Sequence, residues 1–258
     1  MTLNTAPAAL VTGVGRPSGI GAEICRTFAE RGTRLCYTFW HPYDDEAPWE
    51  ADSSFPYQFA GQLRATGIDA HGLEVDLSLP GSAATLMQQA NEKLGEISIL
   101  VNNAVVSEQG DILLMDGPML DRHYAVNVRG MALLTRAFVA QFTAGAGGRI
   151  VNLTSGQGQG PMPGELAYAT SKGAVEAFTT SLFPTVAVKG ITVNAVNPGP
   201  TDTGWIPDAL RPVLLEQFPM GRIGAARDAA ELVAFLASAE GGWITGQVIN
   251  SEGGFWRK

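Results

Sequence analysis

The sequence predicts a doubly wound α/β fold, a single Rossmann-like layer of seven parallel strands flanked by helices on both faces. Three observations predict it. Short β-rich apolar runs alternate with helical stretches along the whole chain, and no Pro/Ser-rich linker or internal repeat divides it. Of its 258 residues, 45% are hydrophobic and 16% charged, enough apolar surface to bury one large core.

In order, Ala9 to Thr12 reads as the first strand and Ile20 to Arg31 as the helix that follows it. Arg34 to Trp40 is the second strand. Ala70 to Val75 is the third, followed by a helix over Ala83 to Leu94. Ile97 to Asn102 leads into a long helical stretch, Arg122 to Phe142, and Arg149 to Thr154 leads into Leu166 to Lys189. Ile191 to Val196, a helix over Asp228 to Ser238 and the strand Gln247 to Asn250 complete the set. Parallel neighbours joined through helices require right-handed crossovers, which places helices on both faces. A single domain, 1–258, is expected. Two segments exceed plain connectors and are expected to be functional or mobile: His41 to Tyr57, and Pro198 to Gly224, whose apolar set Trp205, Ile206, Leu214, Leu215, Phe218 and Met220 suits a substrate lid.

A formal net charge of −8 offers no basic field for nucleic acid or an anionic membrane. Met1 to Ala8 carries no basic flank ahead of an apolar run, and no stretch approaches the roughly 18 apolar residues of a spanning helix. A soluble cytoplasmic protein is expected. Cys25 and Cys36 read as buried thiols rather than a disulfide. His41, His71 and His123 lack ligand spacing, so no metal site is expected.

Thr12-Gly13-Val14-Gly15-Arg16-Pro17-Ser18-Gly19-Ile20-Gly21 joins the first strand to the first helix. Glycines there let a dinucleotide pyrophosphate approach the backbone at a helix N-terminus. A glycine turn alone has a steric explanation, so its position between strand and helix carries the reading. Thr12-Gly13 followed by Gly19-Ile20-Gly21 resembles the N-terminal fingerprint of the short-chain dehydrogenase/reductase family, with five residues where that family has three between the first two glycines. The wider gap is closer to that of the divergent enoyl-carrier-protein reductases.

Tyr168 and Lys172 lie four residues apart and project from one helix face. Proton transfer near neutrality asks the tyrosine to fall roughly 3 units from about 10, about 4 kcal/mol. A unit charge at about 4 Å, with an effective dielectric of about 20, supplies roughly 4 kcal/mol, so Lys172 is expected to do most of the tuning. Ser155, thirteen residues before Tyr168 at the end of a strand, is placed to donate to a carbonyl oxygen.

The same resemblance continues through Asp76-Leu77, Asn102-Asn103-Ala104, Asn127, and Asn197-Pro198-Gly199, and covers nearly the whole chain. It implies a catalytic set of Asn127, Ser155, Tyr168 and Lys172. Asn127 would hold a water in a proton relay, and Lys172 would also bond the nicotinamide ribose. It implies coenzyme contacts from Gly13, Arg16, Ser18, Gly19, Ile20, His41, Asp76, Leu77, Asn103, Ala104, Tyr168, Lys172, Pro198, Gly199, Thr201 and Thr203. Departures from the family pattern are Val105 after Asn-Asn-Ala, Thr201, and Ser251-Glu252 before the paired glycines.

The second strand ends Tyr37-Thr38-Phe39-Trp40-His41, without the acidic residue that bonds a ribose 2′-hydroxyl. NADP(H) is therefore favoured, with NAD(H) possible. Arg16 and His41 are candidates to face the 2′-phosphate, and Asp44, Asp45 and Glu46 would repel it if turned inward. Gly221-Arg222-Ile223-Gly224 and Trp243-Ile244-Thr245-Gly246-Gln247 are similar to segments of 3-oxoacyl-carrier-protein reductases, so the resemblance implies reduction of a small-molecule ketone to a secondary alcohol. It also implies a homotetramer, which the small-residue faces around Ala167, Ala174 and Ala177 allow.

Two alternatives stand beside this. One is an enoyl reductase, against which Lys172 lies four rather than seven residues after a tyrosine; the residue seven before it is Glu165. The other is a non-catalytic nucleotide sensor or scaffold, against which Ser155, Tyr168 and Lys172 are all present.

Overall fold

The computed structural model describes residues 6–46 and 52–257. Seven strands form one parallel sheet: β1 (Ala8–Val11), β2 (Arg34–Phe39), β3 (Ala70–Glu74), β4 (Ile99–Asn102), β5 (Gly148–Leu153), β6 (Ile191–Asn197) and β9 (Val248–Asn250), ordered β3-β2-β1-β4-β5-β6-β9. A two-residue pair, β7 (Thr201–Asp202) with β8 (Gly224–Ala225), closes the base of the Pro198 to Gly224 segment.

β1, β4, β5 and β6 are buried at every position, which explains their continuous rather than alternating apolar character. One face is covered by α1 (Ile20–Glu30), α3 (Phe55–Ala65) and α9 (Ala226–Ala237). The other is covered by α4 (Ser82–Leu94), α6 (Met131–Gln141) and the long α7 (Leu166–Ala187). Cys25 and Cys36 are free, buried thiols, as expected. Burial pushes the Cys36 thiol up to about 12.

Chain order reverses between β1 and β4, so β1 has neighbours whose crossovers leave in opposite directions. A crevice opens there beyond the carboxyl ends of the strands. The register brings these ends level: Val11 pairs with Val101, Asn102 with Asn152, and Leu153 with Val196. The glycine loop, Asn103-Ala104, Ser155 and Pro198-Gly199 each follow one of these ends.

The structure revises several elements. The stretch Arg122 to Phe142 is not one helix: α5 (Gly117–His123) passes into a π-helical turn over Tyr124–Gly130 before α6. The segment from His41 to Tyr57 contains α2 (His41–Glu46) and the start of α3, with Phe55 buried in the core and the Tyr57 ring 4.9 Å from Phe39. Trp49 of the same segment lies outside the described residues, as do Met1 to Thr5. In the lid, Ile206 and Phe218 are buried while Leu215 and Met220 are exposed, and a five-residue helix, α8 (Arg211–Leu215), crosses it. Ala167 is buried within the protomer and adds nothing to an outward face; Ala177 is exposed and Ala174 half-buried. Among the described residues no helix is long and apolar enough to cross a membrane. No cluster of metal-ligating side chains is found among them either.

Candidate active site

The glycine loop is held by close packing against the segment after β4. Gly13 has φ +76°, and a Cβ there would lie 2.6 Å from the Cα of Ala104; one at Gly21 would lie 2.5 Å from the Gly13 carbonyl oxygen. Only glycine fits either place. Thr12 Oγ1 accepts from the Asn103 and Ala104 amides, 3.0 Å each, and Asn103 Nδ2 donates to the Thr12 and Gly13 carbonyls at 2.8 and 2.9 Å. These bonds fix the loop against the head of α1. No side chain caps that first turn, so its N–H groups face the crevice as a seat for an anion.

Arg16 and Ser18 share a main-chain partner. Arg16 Nη1 and Ser18 Oγ each donate to the Thr203 carbonyl at 3.0 Å, tying the wide glycine loop to the start of the lid. His41 begins α2 with its ring 6.1 Å from that of Tyr57 and its Nδ1 3.7 Å from Asp45 Oδ1. Asp76 Oδ1 accepts from the Ser78 amide at 2.8 Å, and Leu77 is buried beneath the π-helical turn, its carbonyl oxygen 2.7 Å from where a Cβ on Gly130 would stand. Thr201 Oγ1 donates to the Gly199 carbonyl at 3.1 Å, and the Gly199 amide donates to Asn197 Oδ1 at 2.9 Å; Pro198 lies between them.

Ser155, Tyr168 and Lys172 come together at the carboxyl end of β5. Ser155 is close enough to the Tyr168 hydroxyl to act on its ionisation, and Lys172 Nζ lies 5.7 Å from the Tyr168 ring centre. The ammonium is buried and donates to the Leu153 carbonyl at 2.7 Å. The electrostatics reverse one expectation. Burial pushes the Tyr168 phenol up to about 12, with only the Ser155 hydrogen bond acting downward, and it lowers Lys172 to about 8. Burial is the largest cause of both shifts, and the groups that act on Tyr168 after it are Ser155, Glu165 and Tyr43.

Asn127 sits in the π-helical turn with its amide fully engaged. Its Oδ1 accepts from the Val106 amide at 2.8 Å, and its Nδ2 donates to the Val106 carbonyl at 2.8 Å and to Ser171 Oγ at 2.9 Å. Ser171 Oγ in turn donates to the Tyr168 carbonyl at 2.7 Å. The side chain therefore braces the turn of α7 that carries Tyr168.

Sequence reasoning missed several supports. Asn102 Nδ2 donates to Asn152 Oδ1 at 2.8 Å, and Asn152 Nδ2 donates to Thr179 Oγ1 at 2.9 Å, a buried polar chain joining β4, β5 and α7. Buried asparagines in consecutive strands at one level were its only visible signal. Arg257 pairs with Glu252, which accepts from Asn197 Nδ2 at 2.8 Å, and its guanidinium packs on Gly156 next to Ser155. Nothing in the local sequence marks Arg257.

The crevice is not simply open. Asp44 turns inward, so that a Cβ on Gly15 would overlap its carboxylate, and the Tyr43 hydroxyl accepts from the Ser107 amide at 3.2 Å. Beside Tyr168, a hollow of about 410 Å³ is lined by Gln109, Met162, Pro163, Gly164 and Glu165.

Residues 13–256 match a family model described as "Enoyl-(Acyl carrier protein) reductase". The chain is 46% identical over 251 residues to the uncharacterized oxidoreductase YjdA of Bacillus subtilis (strain 168), covering 96% of each. It is 32% identical over 251 residues to 3-oxoacyl-[acyl-carrier-protein] reductase FabG of Pseudomonas aeruginosa, again covering 96% of each. A short-chain dehydrogenase from Burkholderia cenocepacia J2315, solved in complex with NADP, superposes with a TM-score of 0.86 at 31% identity, covering 96% of this chain and 97% of that one.

Proposed function

We propose that this chain, which belongs to the short-chain dehydrogenase/reductase family and is an oxidoreductase, is an NADPH-dependent ketoreductase in which Ser155, Tyr168 and Lys172 carry the chemistry. The single observation behind this reading is the meeting of those three side chains at the end of β5, beside a glycine loop built for an anion. NADP is the coenzyme in the Burkholderia structure, and no carboxylate ends β2 to claim a ribose hydroxyl.

Gly13, Ser18, Gly19, Ile20, Asn103, Ala104, Thr201 and Thr203 would hold such a coenzyme, with Asp76, Leu77, Pro198 and Gly199 shaping the walls. The coenzyme supplies a hydride to the carbonyl carbon. Ser155 donates to the carbonyl oxygen and holds it against Tyr168, whose phenol gives up its proton to that oxygen as negative charge develops. Lys172, one helical turn on, offers a positive charge toward the phenolate that results. Asn127 positions α7 through Ser171 and leaves its carbonyl to orient a water that returns the proton.

The description of the family model favours a second reading, enoyl reduction. The four-residue spacing from Tyr168 to Lys172 favours the ketone, as does the FabG similarity. We further propose a cytoplasmic homotetramer. Its support is apolar surface outside the crevice: Trp243, Val188, Phe235 and Phe183 are exposed on or beside α7, α9 and the last strand.

Tyr168→Phe is expected to lower turnover on a ketoacyl thioester by about 10² to 10⁴, with NADPH binding by fluorescence titration kept within a few-fold. A ketoacyl and an enoyl thioester assayed side by side, each with NADPH and NADH, decide substrate class and coenzyme together. Turnover of the enoyl thioester alone, or undiminished turnover in Tyr168→Phe, would overturn the assignment.

A further inference from the structure

The coenzyme crevice carries a piece of the chain itself. α2 follows β2 directly and runs across the crevice mouth, with Tyr43 and Asp44 half-buried on its inner side and Pro42 and Asp45 exposed on its outer side. Asp44 sets its carboxylate on the bare backbone of Gly15, the one place in the loop where the absent side chain leaves room that α2 then fills. Arg16, the loop's only cation, lies within the field of that carboxylate. On the opposite wall, Tyr43 accepts from the Ser107 amide at 3.2 Å, five residues after the end of β4. The same ring is close enough to Tyr168 to act on its ionisation.

The two contacts bridge the wall after β1 and the wall after β4, which a dinucleotide must lie between. A carboxylate set against Gly15 puts negatively charged oxygens beside the loop that a phosphate would approach, so the two compete for the same space. We propose that α2 is a displaceable stopper of the coenzyme crevice, in which Asp44 holds the glycine-loop seat and Tyr43 pins the helix to Ser107, so that NADP(H) binds only by lifting it. This rests on the coenzyme reading above and adds to it an internal competitor. Apparent affinity is then the intrinsic affinity scaled by the fraction of molecules with α2 lifted. Arg16, already in the field of Asp44, then exchanges one anion for another.

The experiment is equilibrium and stopped-flow binding of NADPH and NADH, read by quenching of tryptophan fluorescence, with no turnover required. Wild type is compared with Asp44→Ala, Tyr43→Phe and Asp45→Ala, the last removing the same charge from the exposed side of α2. Asp44→Ala is expected to tighten NADPH binding about tenfold and Tyr43→Phe several-fold, while Asp45→Ala leaves it unchanged. The wild-type observed rate should level off at high NADPH as lifting becomes limiting, and that of Asp44→Ala should stay linear. Amide hydrogen exchange in residues 41–46 should rise when NADPH is added. Equal tightening by Asp45→Ala would reduce the effect to bulk charge and overturn the stopper. Weaker NADH binding in Asp44→Ala would make Asp44 a ligand of the ribose and overturn it as well. If NADPH and NADH bind to none of the four proteins, the coenzyme reading fails, and the stopper fails with it. A gain in affinity cannot arise from misfolding, so the expected outcome needs no separate test of fold.

Discussion

Lys172 and Tyr168 carry opposite consequences of the same burial. In the free enzyme the lysine, lowered to about 8, is charged below that pH and loses its proton as pH rises through it. The phenol, raised to about 12, stays protonated throughout that range. Because kcat/KM reports the free enzyme, carbonyl reduction is expected to hold steady below about pH 8 and to decline above it, about tenfold per unit, through loss of the Lys172 charge and not through the tyrosine. A pH profile of kcat/KM that stays flat to pH 10 would contradict this. The identity of both residues was legible from their spacing on one helix face. Their ionisation was not, because a pairwise Coulomb estimate counts the attraction and omits desolvation, and the Lys172 ammonium turned out to donate to the Leu153 carbonyl.

At the scale of elements, the π-helical turn over Tyr124–Gly130 is where local rules gave way. The apolar spacing of Arg122 to Phe142 is continuous, so nothing in it announces an interruption. What breaks the helix is a tertiary demand: Asn127 must satisfy both main-chain groups of Val106 and the Ser171 hydroxyl, and a widened turn aims it there. Asn127→Leu removes the partner of both Val106 main-chain groups and one of the two bonds of the Ser171 hydroxyl. It is expected to cost about 3 kcal/mol by urea denaturation and to lower kcat more than it raises KM, since α7 loses the brace beneath Tyr168. A change below about 1 kcal/mol would show that water replaces the amide freely. α2 was hidden for another reason. Six residues with Pro42 and three carboxylates carry no apolar spacing of their own, and only Gly15 and Ser107, distant in sequence, give Asp44 and Tyr43 somewhere to go.

For the whole molecule, the parallel sheet was legible because fully buried strands are apolar at consecutive positions and each lies one helix from the next. The strand order adds the crevice at its switch point, which no single segment encodes. Light scattering during gel filtration is expected to give four times the chain mass. Trp243→Glu, at the most exposed of the described tryptophans, is expected to shift it to smaller species with the catalytic trio intact. A monomer in the unaltered protein would leave the apolar surface to some other use.

Arg257 links the segment after β9 to the loop that holds Ser155, through Glu252 and Asn197 on one side and Gly156 on the other. The serine's loop is thus braced from the edge of the sheet farthest from β3.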